Sequence, residues 1–197
     1  MIHMFGSLIM FSSSTIYHLY NCHSKHTQCK LTKYDYAGVS VMIASSVYPP
    51  YVYGLMCDQT IHWAYLYLTI INVSALALVV ICIHPSFDNE KYRRLRIIMY
   101  VIVGLACGVP GFHYQFFGNY LYHSYTNTFL WALGGFFFVF GAYIYHTRFP
   151  ERKYPGKFDY FGQSHNIWHF FVLLGAFTHF LASLASYYGR RVQSCPV

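Results

Sequence analysis

Charge is what this sequence has least of. Asp, Glu, Lys and Arg make up 10% of its 197 residues, and only 6 are acidic, against about 25% charged residues in an ordinary soluble domain. Combined with 56% hydrophobic and 21% aromatic residues, that shortage excludes a disordered chain, which needs the opposite balance, and argues against a water-soluble globule. Cysteine is equally uninformative as a framework. Cys22, Cys29, Cys57, Cys82, Cys107 and Cys195 form no CxxC or other metal-ligand pair, so they read as buried free thiols. No Lys/Arg stripe follows a helix face, so the net charge of +7 does not indicate a nucleic-acid partner. There is no internal repeat, no low-complexity tract, and no basic flank or small-residue cleavage site of a signal peptide at the start.

What is present is a series of long apolar runs. They cover residues 1–22, 34–56, 61–83, 95–112, 127–145 and 161–188, here called A to F. A bilayer span needs about 20 apolar residues, and residues 129–145 are apolar all round, with no face for water. The fold predicted is therefore an all-α integral membrane bundle of six spans, a single multi-pass domain over residues 1–197 in a plasma membrane or endomembrane. Pro49 and Pro50 should kink B, and Pro110 should bend or end D. Gly104, Gly108, Gly111, Gly134 and Gly135 read as positions of close helix packing. The A–B, C–D and E–F loops hold eleven of the 13 Lys and Arg residues, which places those three loops in the cytoplasm.

The chemistry lies in the 12 histidines. His165 and His169 are four apart at the start of F, which stacks their rings on one helix face, a spacing suited to one metal ion. His18 near the end of A and Asp35 at the start of B fall at the same depth below the same membrane face. Ionisable residues inside a membrane usually face the bundle interior and mark function. Three His with one open position is the ligand set of a catalytic zinc. Haem is the competing cofactor and fits less well, because it takes one axial His from each face and leaves the third His and Asp35 without a role. Ser14, one turn before His18, is placed either to support an oxyanion or a ligand, or to bond back to its own helix. His179 is about 15 Å deeper than His169, too far for the same metal, and reads as a buried hydrogen-bonding residue. His113, His123 and His146 read as interfacial.

These residues resemble a known family. Ser14 to His18 follow an S-x-x-x-H motif, Asp35-Tyr36-Ala37-Gly38 a D-Y-x-G element, and His165 with His169 an H-x-x-x-H, as in the progestin and adipoQ receptor (PAQR) family of adiponectin receptors and hemolysin III-like proteins. The stretch from Arg148-Phe149-Pro150-Glu151 through Pro155-Gly156-Lys157-Phe158-Asp159 into Gln163-Ser164-His165 is the most specific part. The resemblance implies a seven-helix fold with a cytoplasmic N-terminus, of which this sequence lacks the first helix. It also implies zinc held by His18, His165 and His169, with Asp35 matching the Asp that orients the attacking water and Ser14 the Ser of the motif. Family members are linked to ceramidase activity, and alkaline ceramidases share the same pattern. The function expected is a zinc-binding membrane receptor with zinc-dependent hydrolysis of a ceramide-like lipid amide. The alternative is a non-enzymatic receptor or regulator of lipid metabolism whose zinc only pins helices. An extracellular protein or a steroid is the kind of ligand the family implies.

Overall fold

The computed structural model describes residues 1–57, 60–87, 90–117 and 127–192. Among these residues the chain is helical, with no strand. The helices are α1 (Ile2–Tyr20), α2 (Lys25–Leu55), α3 (Ile61–Ile83), α4 (Arg93–Ala106), α5 (Val109–Phe117), α6 (Thr128–Thr147) and α7 (Ser164–Val192). Four stretches are long and apolar enough to cross a membrane, namely Ile61–Ile83, Arg93–His113, Thr128–Thr147 and Ser164–Val192. Their outward faces carry large apolar side chains such as Leu66, Val73, Leu76, Phe136 and Phe177. A water-exposed patch of that extent is rare in soluble proteins, and here it faces lipid.

Helix α2 is the hub of the bundle, packing on α1, α3 and α7. It begins at Lys25, well before run B, because Ser24 caps it by accepting from the Thr27 N–H at 3.1 Å. Lys25, Lys30 and Lys33 therefore sit on a polar helical extension rather than in a loop. Apolar-run counting misses such an extension, since helix continues wherever a cap starts it early. The prolines do not interrupt α2, and both lie inside it. Val47 before them and Tyr51 and Leu55 beyond them pack with Ala64, Leu68 and Ile71 of α3. Run D does break, into α4 and α5 at Cys107–Gly108, just before Val109-Pro110. The Cys107 carbonyl left at the break accepts the Tyr51 hydroxyl at 3.0 Å.

Two close backbone approaches set the positions of the remaining helices. A Cβ added at Gly38 of α2 would lie 2.3 Å from Ser13 Oγ and 3.0 Å from Met10 Cα, so α1 is seated directly on α2. Between α6 and α7, a Cβ at Gly141 would lie 2.7 Å from Phe171 Cβ, and one at Gly134 would collide with the His179 ring. Among the described residues, Gly104, Gly111 and Gly135 have nothing within 4 Å of such a Cβ. The expectation of close packing thus holds at Gly134 and fails at those three, because small-residue spacing does not say which face of a helix is covered. A cluster of Met10, Met42, Val172 and Ala176 then ties α1, α2 and α7 together.

The cysteines also depart from one class. Cys82 is a buried thiol, Cys22 and Cys29 are exposed thiols, and Cys57 is disulfide-bonded. The absence of short-range cysteine spacing excludes a metal knuckle but not a disulfide. Cys195 and His123 lie outside the described residues.

A substitution at Gly38 tests the packing directly. Gly38→Val should cost about 1–3 kcal/mol by overpacking against the α1 backbone and should lower the melting temperature in detergent. Gly135→Ala, at an open position in a helix, should be neutral or stabilising by up to about 1 kcal/mol. Equal melting of the Gly38→Val variant and the parent would mean α1 is not seated as described.

Candidate metal centre

Helix α1 ends, and α7 begins, at the same face of the bundle. His18 occupies the last turn of α1, while His165 and His169 fall in the first two turns of α7. Their Nε2 atoms form a nearly equilateral triangle, with His18–His165 at 3.3 Å, His18–His169 at 3.2 Å and His165–His169 at 3.2 Å. Among the described residues this is the one group of three or more metal-capable side chains brought together. Three imidazole nitrogens aimed at a common point cannot satisfy one another, because a neutral ring offers either a donor or an acceptor at Nε2. Tetrahedral zinc, with Zn–N bonds of about 2.0–2.1 Å, requires ligand nitrogens about 3.3–3.4 Å apart. The triangle fits that edge.

Asp35 stands beside the triangle without joining it. Ser14 and His18 are the polar neighbours that act on its carboxylate. Ser14 is buried and faces the neighbouring helix, next to that carboxylate. Gly38 lies one turn after Asp35 on α2, so the close α1–α2 approach is also what brings Ser14 to the carboxylate. All five residues singled out from the sequence therefore converge at one end of the bundle.

The structure adds residues that sequence reasoning gave no role. Tyr145 of α6 lies against His165, with ring centroids 5.2 Å apart. Arg93 of α4 holds Tyr145 in place, donating to its hydroxyl at 3.3 Å and its carbonyl at 3.2 Å, with the guanidinium 4.3 Å from the ring centroid. Next to Asp35, Tyr36 lies under Arg96 at 5.0 Å, and its carbonyl accepts from Tyr100 at 2.9 Å. His179, deep in α7, donates instead to the Trp131 carbonyl at 3.2 Å and takes no part in the centre.

Glu151 is the most consequential addition. It lies between α6 and α7, after Arg148 has ended α6 in the left-handed conformation at φ 53°. Its carboxylate accepts the Ser164 N–H at 2.8 Å and the Ser164 hydroxyl, capping the helix one residue before His165. A negative group at this end also meets the positive pole of the helix dipole. Partial burial pushes the Glu151 carboxyl up, but the Ser164 bonds and nearby Arg148 outweigh it and hold it below its ordinary value. Its signals in the sequence were its rarity, as one of 6 acidic residues, and its place in the stretch from Arg148 that carries the family resemblance.

Residues 1–180 match the haemolysin-III-related family. The chain belongs to that family. Heptahelical transmembrane protein 1 of Arabidopsis thaliana is 37% identical over 180 residues, covering 91% of this chain and 53% of that protein. Heptahelical transmembrane protein ADIPOR3 of Oryza sativa subsp. japonica is 34% identical over 190 residues, covering 96% and 47%. The Adiponectin receptor protein of Drosophila melanogaster is 30% identical over 185 residues, covering 92% and 41%. The chain spans about half the length of these curated relatives. This haemolysin-III-related chain is a multi-pass integral membrane protein, and its histidine triangle lies within the matched residues.

The cap predicts a graded response. Glu151→Ala should destabilise the start of α7 by about 1 kcal/mol, as loss of a helix cap does. Glu151→Gln, which keeps an acceptor, should lose less. Because folding lowers this pKa, the stabilisation is present above the unfolded carboxylate pKa and fades as pH falls through the folded value. The melting difference between parent and Glu151→Gln should therefore shrink in acid. A difference that grows in acid would contradict the cap.

Proposed function

We propose that this protein is a zinc-dependent hydrolase of ceramide-like lipid amides, embedded in a receptor-type membrane fold. The observation that carries the reading is the 3.2–3.3 Å triangle of Nε2 atoms with the Ser14–Asp35 pair beside it. His18, His165 and His169 would hold the ion. Zinc in such a three-His site supplies Lewis acidity toward the amide carbonyl and a water acidified to near neutrality. A protein set of three leaves one tetrahedral position for chemistry, whereas a purely structural site is closed by four.

The chain's own residues divide the remaining work. The Asp35 carboxylate is the proton acceptor for the attacking water, and the same oxygen then returns the proton to the leaving amine nitrogen. The Ser14 hydroxyl donates to that carboxylate and fixes its orientation. Tyr145, held by Arg93, packs on His165 and limits the rotation of its ring. Exposed apolar side chains flank the centre on both ligand helices, with Ile16 and Leu19 on α1 and Phe170 and Leu173 on α7. Acyl chains of a substrate would lie along them in the bilayer, bringing the amide to the depth of the histidines.

Two sets of variants test the reading separately. The purified protein should carry about one zinc, and the His18→Ala, His165→Ala double variant should lose it together with the zinc-dependent part of its thermal stability. Asp35→Asn should keep most of the zinc while lowering turnover of a ceramide by about 10²-fold or more. Full zinc retention in the double variant would sink the three-histidine site. Unaltered turnover in Asp35→Asn would remove Asp35 from catalysis, and a zinc-loaded parent with no amidase activity would favour a zinc that only pins α1 to α7.

A further inference from the structure

The end of α6 and the segment after it form a groove that the proposed reaction does not use. Phe140, Tyr143, Ile144 and Thr147 recur at helical spacing along one face of α6, and Phe149, Arg152 and Lys153 close over them around a volume of about 550 Å³. The helical wall is mostly apolar and open to the bilayer, with Tyr143 63% exposed and Phe149 50% exposed. The two cations sit where α6 ends and the basic face of the bundle begins. Among the described residues no acidic side chain lines the groove.

Neither cation is neutralised within the described residues. Arg152 makes no ion pair or side-chain hydrogen bond, and the Lys153 ammonium has only the Tyr154 ring, 5.5 Å away. The neighbouring carboxylate, Glu151, is taken by Ser164. A guanidinium fork and an ammonium above an apolar channel match one kind of molecule, with a phosphate at one end and a hydrocarbon chain at the other. We infer that this groove binds an anionic phospholipid, its phosphate on Arg152 and Lys153 and one acyl chain along Phe140, Tyr143 and Ile144. The site is separate from the histidine triangle, and the inference does not rest on zinc or on hydrolysis.

The test uses the whole chain in nanodiscs of phosphatidylcholine and phosphatidic acid in equal parts, with retained lipid identified by native mass spectrometry. The parent should retain phosphatidic acid in preference. Arg152→Gln with Lys153→Gln should cut that preference roughly thirty-fold, at about fivefold per cation near a membrane surface. Ile144→Trp, which fills the groove and keeps both charges, should cut it as well. Lys25→Gln with Lys30→Gln removes the same charge from the same face outside the groove and should leave the preference intact. The altered cations are exposed, and thermal melting confirms that each variant is folded. Equal loss in the Lys25/Lys30 pair would reduce the effect to diffuse surface charge and overturn the site. Persistence of the preference in the Arg152/Lys153 pair, or displacement of the lipid by millimolar inorganic phosphate, would overturn it too.

Discussion

Three imidazoles on two helices far apart in sequence must share one small volume, and the rest of the bundle is arranged around that requirement. Two of them come ready-paired, because His165 and His169 are one turn apart on α7. The third depends on where α1 ends relative to where α7 begins. A displacement of about 1 Å would take His18 out of bonding reach, since metal–nitrogen distances tolerate only about 0.2 Å. Helix α1 makes few direct contacts with α7, so its position is fixed through α2.

That indirect fixing explains why the small residues fall where they do. Gly38 admits α1 against α2, Gly141 and Gly134 admit α7 against α6, and the Met10–Met42–Val172–Ala176 cluster joins the two pairs. In lipid, apolar contact between helices gains little from water exclusion, so close packing and internal hydrogen bonds carry the association. The Arg93–Tyr145 clamp is of that kind, and it and the Ser14–Asp35 contact both lie next to a histidine of the triangle. Structural support and the candidate chemistry therefore draw on the same residues. Glu151 belongs with them, since the helix it caps begins with the two paired histidines.

Much of the centre was legible because helical geometry is periodic. A four-residue spacing puts His165 and His169 on one face, and counting rise per residue puts His18 and Asp35 at their level. Glu151 was not legible, since it works through a non-repetitive segment whose path is set by a left-handed Arg148 and by Gly156 and Gly162 at positive φ. The beginning of α2 was misread for a related reason. Hydropathy marks where lipid is met, while a Ser24 cap marks where helix starts, and here the two differ. Gly104 and Gly111 looked like packing positions because their spacing is right, yet spacing does not reveal whether a neighbour covers that face. Cys57 shows the same limit, since its disulfide has no signature in local cysteine spacing.

The central claim is that His18, His165 and His169 act together as one coordination shell. Zinc K-edge X-ray absorption on the purified protein measures that shell without reference to activity or to any substrate. The account predicts about one zinc per chain with three imidazole nitrogens at about 2.0–2.1 Å, a light-atom fourth neighbour and no sulfur. Stoichiometric zinc with a sulfur scatterer near 2.3 Å, or a spectrum unchanged when His18 is replaced by alanine, would contradict it.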